Sequence, residues 1–222
     1  YIEATRRDAR MRQFLERARE AGVRLIEADG LRLARMAGNA GHQGVVAKVN
    51  PLSPIHSLDD WLDGLAPETA PLLLVLDGVT DPRNLGAVVR SAAAFGAAAV
   101  VLPERRSAGM TAVAWRTSAG AAARVPVARA VNLTRTINKF KNAGYFVIGL
   151  DADGDITMAA AAADVRDDRV LLVIGSEGKG LSRLVAESCD VVASIPMTAD
   201  TESLNASVAA GIALYAIADA RS

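Results

Sequence analysis

The chain has few of the residues that build disulfides or metal centres. Its 222 residues include one cysteine, Cys189, and two histidines. A single cysteine excludes an internal disulfide and fits a reducing compartment, so we expect a cytoplasmic protein. So few histidine and cysteine ligands do not make a convincing zinc site, and we expect no metal.

Long apolar runs and a leader are lacking as well. The uncharged apolar runs are of strand length, so no segment is predicted to cross a membrane. The start, Tyr1–Arg7, is charged and does not resemble a signal peptide. It also lacks an initiator methionine, so we expect a fragment whose true N-terminus is missing. Apolar residues are present at 51%, enough for a sizeable core.

Charge is balanced overall but uneven along the chain. The 25 Lys and Arg equal the 25 Asp and Glu, yet residues 82–150 carry ten Lys or Arg against Glu104 alone. Such a basic stretch can neutralise nucleic-acid phosphates if its cations share a face. It can equally be a set of solvated helix faces, balanced in space by the acidic C-terminal third.

The pattern of elements divides the chain at a proline-rich segment. We expect a partial N-terminal domain at residues 1–50, a linker at 51–70 with a possible helix at Leu58–Leu65, and a larger domain at 71–222. The elements expected in the first domain are an Arg-rich amphipathic helix over 3–21, a strand at Val23–Ile26, a helical turn at Leu31–Met36 and a strand at 41–49.

From Pro71 onward, apolar strands alternate with helices. The predicted strands are Leu72–Leu76, Ala97–Leu102, Tyr145–Leu150, Val170–Ile174 and Val191–Ile195. The predicted helices are Asn84–Phe95 with Asn84 as cap, Thr111–Ala123, Leu133–Asn142, Leu181–Ser188 and Thr201–Asp219. Strands that are apolar throughout predict an α/β fold, with a parallel sheet covered by helices on both faces.

Three polar clusters follow three of these strands. They are Asp77–Gly86 with Arg90, Ile174–Gly180, and Ile195–Met197 with Glu202–Ser207. Ligands of α/β proteins bind outside the carboxyl ends of the strands. We therefore expect the three clusters to form one composite pocket.

Each cluster alone also has an ordinary structural explanation. The glycines of Gly175–Gly180 fit neither a P-loop nor the dinucleotide fingerprint, so they allow close ligand approach or form a tight turn with a solvated Glu177. Arg90 is either an edge residue or a forked donor for an anion. Thr201 or Ser203 could cap the last helix, which leaves Asn205 unexplained.

Taken together, the clusters closely resemble the three signature motifs of SpoU-type RNA ribose 2′-O-methyltransferases, of the SPOUT superfamily. The motifs are Asp81-Pro82-x-Asn84-x-Gly86-x-x-x-Arg90, Ile174-Gly175-x-Glu177-Gly178-x-Gly180, and Ile195-Pro196-Met197 followed by Ser203-Leu204-Asn205-x-Ser207-x-Ala209. Gly41–Gly44 resembles the end of the small RNA-binding domain that precedes the catalytic domain in many members. The combination is most similar to the bacterial members that methylate a guanosine in the peptidyl-transferase region of 23S rRNA.

The resemblance implies a C-terminal trefoil knot that holds S-adenosylmethionine, and a homodimer that acts on RNA. It implies that the cofactor is bound, mainly through backbone, at Gly175, Ile195 and Leu204, with Gly178 and Met197 nearby. The motifs do not decide between this guanosine of 23S rRNA and two other substrates, namely tRNA and another nucleotide of rRNA. A non-catalytic RNA-binding or assembly factor is the alternative outside the enzymes.

The resemblance also assigns the catalytic residues. Arg90 would activate the ribose 2′-OH, either after losing its proton or, more easily, by binding the adjacent phosphate as a cation. Asn84 would orient Arg90 or the ribose. Glu177, Ser203 and Asn205 would position the nucleotide and Arg90.

Overall fold

The computed structural model describes residues 1–38, 41–48, 58–64, 71–198 and 203–222. The chain separates into two compact units, Tyr1–Pro51 and Leu52–Ser222. Most of the predicted linker at 51–70 lies outside the described residues, apart from the helix α3 given below.

The N-terminal unit is a small α/β arrangement. Its elements are β1 (Ile2–Glu3), α1 (Ala9–Glu20), β2 (Glu27–Ala28) and α2 (Gly30–Ala37). The two strands pair in parallel. The carboxylates of Asp8 and Asp29 cap the two helices, because each accepts a hydrogen bond from a backbone N–H in the first turn, at 3.0 and 2.7 Å.

Three predictions for this unit need correction. The helix expected over 3–21 starts only at Ala9, because Ile2–Glu3 pairs as a strand and Asp8 is the cap. The strand expected at Val23–Ile26 is wrong, and the strand lies at Glu27–Ala28. Of the strand expected at 41–49, the described part forms a single antiparallel bridge between Val45 and Ile2.

The C-terminal unit carries seven strands and seven helices in its described part. The strands are β3 (Leu72–Leu76), β4 (Ala97–Pro103), β5 (Val127–Ala130), β6 (Tyr145–Leu150), β7 (Ile156–Thr157), β8 (Arg169–Ile174) and β9 (Val191–Ser194). The α-helices are α3 (Leu58–Asp63), α4 (Pro82–Ala94), α5 (Ala112–Thr117), α6 (Leu133–Asn142), α7 (Met158–Asp164), α8 (Arg183–Ala186) and α9 (Ala206–Ala220).

The seven strands form one fully parallel sheet in the order β5-β4-β3-β8-β6-β9-β7. Alternate residues of β3 face opposite sides: Leu72, Leu74 and Leu76 join one core, and Leu73 and Val75 join the other. The first core contains residues of α4, α5, α7 and α9, and the second contains residues of α6 and α8 with α3 packed against it. The predicted α/β fold, with helices on both faces of a parallel sheet, is confirmed.

The helix starts and stops differ from the prediction at specific residues. Asp81, not Asn84, caps α4: its carboxylate accepts from Arg83 N at 2.8 Å, and Pro82 fills the first position, where no N–H is needed. The helix expected over 111–123 stops at Thr117, because Ala119 and Gly120 take positive φ values of 50° and 88°. A separate 3-10 turn follows at Ala121–Ala123.

The short elements β5, β7 and α7 were not predicted. The helix expected at Leu181–Ser188 is the single turn α8. The last helix, expected from Thr201, begins at Ala206, while Thr201 and Glu202 lie outside the described residues.

Candidate functional site

A cavity of about 310 Å³ opens at the carboxyl ends of β6, β8 and β9. Its walls are the loops after those three strands and the start of α9. They include Asp151–Asp153, Gly175–Gly180, Ile195, Met197, Ser203 and Leu204. The second and third polar clusters therefore meet in one cavity, and a loop after β6 joins them.

The five residues assigned to the cofactor by resemblance all line this cavity. They are Gly175, Gly178, Ile195, Met197 and Leu204. Ser203 and Glu177, assigned to catalysis, line it too. Asn84, Asn205 and Arg90 are absent from its walls, as far as the described residues define them.

The loop after β8 is held tight by its own backbone. Ser176 and Gly180 exchange two backbone hydrogen bonds of 3.0 Å. A Cβ on Gly175 would lie 2.2 Å from the carbonyl carbon of Gly180, so no side chain fits there. Gly178, at the tip of the turn, has a φ of +72°, which favours glycine.

Asp151 ties the loop after β6 to the loop after β8. Its Oδ2 accepts from Leu181 N at 2.8 Å, and its own N–H donates to Ala193 O at 3.0 Å. A Cβ on Gly180 would lie 2.1 Å from this carboxylate oxygen. Sequence reasoning missed Asp151, although Asp151–Asp155 is a polar cluster after an apolar strand, like the three that were found.

Glu177 joins the three motifs in a network with Asn84 and Asn205, here called the Glu177 network. Its Oε1 accepts from Asn84 Nδ2 at 2.6 Å, from Asn205 Nδ2 at 2.5 Å and from Ala206 N at 3.3 Å. Asn205 Nδ2 also donates to Asn84 Oδ1 at 3.1 Å. Glu177 is exposed, but it has specific partners from the other two motifs, which a plain turn does not require.

Asn205 also caps α9. Its Oδ1 accepts from Ser207 N at 3.0 Å and from Ser207 Oγ at 2.6 Å. The expectation that Ser203 caps this helix is therefore wrong, and Thr201 lies outside the described residues. One amide thus serves two purposes: its oxygen starts a helix and its nitrogen binds Glu177.

Arg90 stands apart from the Glu177 network in this chain. It is exposed on α4 and makes no hydrogen bond or ion pair with another described residue. Six helical positions separate it from Asn84, so the two side chains leave α4 on different sides. Its guanidinium is open to an anion from outside the chain.

The other chemically notable residue is Cys189, whose thiol donates to Val185 O at 3.3 Å. Burial, with the nearby Asp190 carboxylate, raises the pKa of this thiol to about 12. The thiol is therefore protonated at neutral pH and is a poor nucleophile. Within the described ranges, no group of three His, Cys, Asp or Glu side chains is placed to hold a metal, and no helix is both long and apolar enough for a membrane span.

Two family descriptions match the chain, one in each unit. The SpoU rRNA Methylase family matches residues 71–215. The description "RNA 2'-O ribose methyltransferase substrate binding" matches residues 1–55.

Similar proteins carry related names. A Mycobacterium avium protein named "Uncharacterized tRNA/rRNA methyltransferase" is 52% identical over 217 residues, which cover 98% of this chain and 69% of that protein. The SpoU methyltransferase AviRb of Streptomyces viridochromogenes is 30% identical, with a TM-score of 0.61 over 68% of this chain and 60% of that chain. A structure of AviRb with the cofactor AdoMet aligns over 98% of this chain and 80% of its own, with a TM-score of 0.73 and 24% identity, which shows a shared fold.

Proposed function

The chain belongs to the SpoU rRNA Methylase family, and we propose that it methylates a ribose 2′-OH of RNA with S-adenosylmethionine (AdoMet) as donor. The observation that carries the proposal is the Glu177 network beside the cavity, which joins one residue from each of the three motifs. We propose a guanosine of 23S rRNA as the first substrate to test. The name of the M. avium relative mentions both tRNA and rRNA, so tRNA is the second.

The cavity suits this cofactor. Its volume of about 310 Å³ lies at the low end of the range for small-molecule sites. Ile195, Met197 and Leu204 supply apolar wall for a purine ring, and the tight turn around Gly175 leaves backbone as the contacting surface. Bound there, the cofactor supplies a methyl group already activated by a sulfonium, so the protein's task is orientation and control of the hydroxyl proton.

The Glu177 network, Ser203 and Arg90 divide that task. Glu177 Oε1 accepts hydrogen bonds from the Nδ2 atoms of Asn84 and Asn205, which fixes these two side chains at the edge of the cavity. Ser203, on the cavity wall, is placed to position the nucleotide. Arg90 binds the phosphate next to the target ribose, and its positive charge lowers the pKa of the 2′-OH, so the proton passes to water as the new O–C bond forms.

Arg90 reaches RNA most simply if the active protein is a homodimer. Its exposed guanidinium is absent from the described walls of its own cavity, so a shared RNA site would place it beside the cavity of a second copy. α9 carries exposed apolar side chains at helical spacing, namely Val208, Ile212 and Tyr215. These residues are a surface that a second copy can cover.

We assign RNA capture to the N-terminal unit and to the basic stretch at 82–150. Nine of the ten cations in that stretch are exposed, Lys141 being half-buried and paired with Asp190 at 2.7 Å. The match of residues 1–55 to a substrate-binding domain supports the same division. We place the activity in the cytoplasm, consistent with the single free thiol.

The test is methyl transfer by the purified protein from labelled AdoMet to transcripts of 23S rRNA and tRNA, followed by mapping of the ribose. Arg90→Ala should lower the rate at least about 100-fold, because a charge at the reacting group is lost, while the Kd for AdoMet stays unchanged. Arg124→Ala is the matched control, since Arg124 is exposed in the same basic stretch. Methylation by Arg90→Ala at a near wild-type rate would refute the role of Arg90, and wild-type protein without methylation of either RNA would refute the function.

A further inference from the structure

We propose that Asp153 contacts the cofactor and selects the cationic methyl donor over the product, because its carboxylate faces a positive charge that the reaction removes. This inference rests on the proposed function. No signature motif contains Asp153, and the resemblance assigns it no role.

Among the carboxylates that the structure describes on the cavity wall, Asp153 is the one that accepts no hydrogen bond from another described residue. Asp151 is committed to Leu181 N, and Glu177 accepts from three donors of the Glu177 network. Asp153 lines the cavity, is exposed, and makes no side-chain hydrogen bond or ion pair to another described residue. Its acceptor oxygens are therefore available to a ligand.

The backbone around Asp153 is held in place although its side chain is exposed. Asp153 N donates to Asp151 Oδ1 at 3.4 Å, and Gly154 O accepts from Ser194 Oγ at 3.2 Å. A Cβ on Gly154 would lie 2.4 Å from the carbonyl carbon of Ala193, so this glycine packs directly on β9. These contacts hold the backbone of Asp153 in place, which keeps its side chain on the wall of the cavity.

The charge of the occupant changes during the reaction. AdoMet carries a sulfonium, an ammonium and a carboxylate, and its net charge is positive. When the S–CH₃ bond breaks and the O–CH₃ bond forms, the electron pair stays on sulfur, the hydroxyl proton passes to water, and the cofactor product is S-adenosylhomocysteine, whose sulfur is a neutral thioether. The carboxylates Asp151, Asp153 and Glu177 outnumber the single cation Lys179 on the described wall, so the cavity favours the donor and releases the product.

Calorimetric titration of the full chain with three ligands tests this selection. The ligands are AdoMet, S-adenosylhomocysteine, and sinefungin, which has an ammonium where AdoMet has its methyl sulfonium. Asp153→Asn should weaken the binding of AdoMet and sinefungin by about three- to tenfold, and the binding of S-adenosylhomocysteine by less than about twofold. In the wild-type protein, added salt should reduce the difference in affinity between AdoMet and S-adenosylhomocysteine.

Two further variants separate charge selection from damage to the loop. Asp155→Asn is the matched control, because Asp155 is exposed on the same loop but does not line the cavity, and it should leave all three affinities unchanged. Lys179→Met removes the cation on the wall and should raise the preference for AdoMet over product.

If Asp153→Asn leaves the ratio of the Kd values for AdoMet and S-adenosylhomocysteine unchanged, the selective role is overturned while the proposed function stays intact. Wild-type protein that binds none of the three ligands would overturn the proposed function and this inference with it.

Discussion

At the residue scale, the cavity is shaped by glycines that lie directly against other parts of the chain. Gly175 lies against Gly180, and Gly180 in turn lies against the carboxylate of Asp151. The glycine pattern left open close ligand approach or a tight turn, and the structure shows that the nearest neighbours of Gly175 and Gly180 belong to the protein's own chain. Asp151 is 30 residues from its hydrogen-bond partner Leu181, and no local pattern carries information on such a contact.

Gly175→Ala should therefore damage both stability and the site. The added methyl would overlap the backbone of Gly180, which cannot move as a flexible side chain would. We expect a loss of about 1–3 kcal/mol in unfolding free energy and weaker AdoMet binding, measured by thermal unfolding and calorimetry. Gly109→Ala is the control, since its nearest neighbour would be a side-chain nitrogen at 3.6 Å. Equal stability of the two variants would contradict the argument.

At the element scale, apolar strands and amphipathic helices that lie between clear boundary residues were predicted well. β3, β6 and α6 have the predicted bounds, because Pro71, Gly144 and Asn132 mark their ends. β5 was missed because Arg129 interrupts its apolar pattern. The structure explains this arginine: its guanidinium donates to Pro103 O at 3.0 Å and Ser107 Oγ at 2.9 Å, which holds the loop after β4.

The start of α9 combines a cap and a contact in Asn205, and two substitutions separate them. Asn205→Ala loses both, which should cost about 0.5–2 kcal/mol of stability. Asn205→Asp keeps an oxygen for the cap and places a negative charge at a helix N-terminus, where it is favoured. It loses the Nδ2 donor to Glu177, however, and adds a like charge beside it.

Both Asn205 variants should lose at least about tenfold in methylation, but Asn205→Asp should melt nearer to wild type than Asn205→Ala. Thermal unfolding and the methyl-transfer assay, run side by side, give the comparison. An Asn205→Asp protein with full activity would show that the contact between Asn205 and Glu177 has no part in the reaction.

At the scale of the whole molecule, the sequence predicted the α/β class and the order of the three motifs. The position of the clusters at strand ends predicted that they share one pocket, but not that Asn84 and Glu177, 93 residues apart, share a hydrogen bond. The predicted trefoil knot and the homodimer depend on how the chain passes through itself and meets a second copy. Local periodicity carries neither kind of information, and both stay predictions.

The homodimer can be tested on α9. Val208, Ile212 and Tyr215 are 50%, 40% and 55% exposed, so burial against a second copy would remove apolar surface from water. Ile212→Asp places a charge at the centre of this face and should shift the protein to monomer in light scattering after gel filtration. Leu184→Asp is the control, because Leu184 is an apolar side chain, 55% exposed, on α8 at the other sheet face. If Arg90 acts on RNA held by the partner, Ile212→Asp should also lose methylation and keep some AdoMet binding. A wild-type monomer, or an Ile212→Asp dimer, would show that α9 is not the interface.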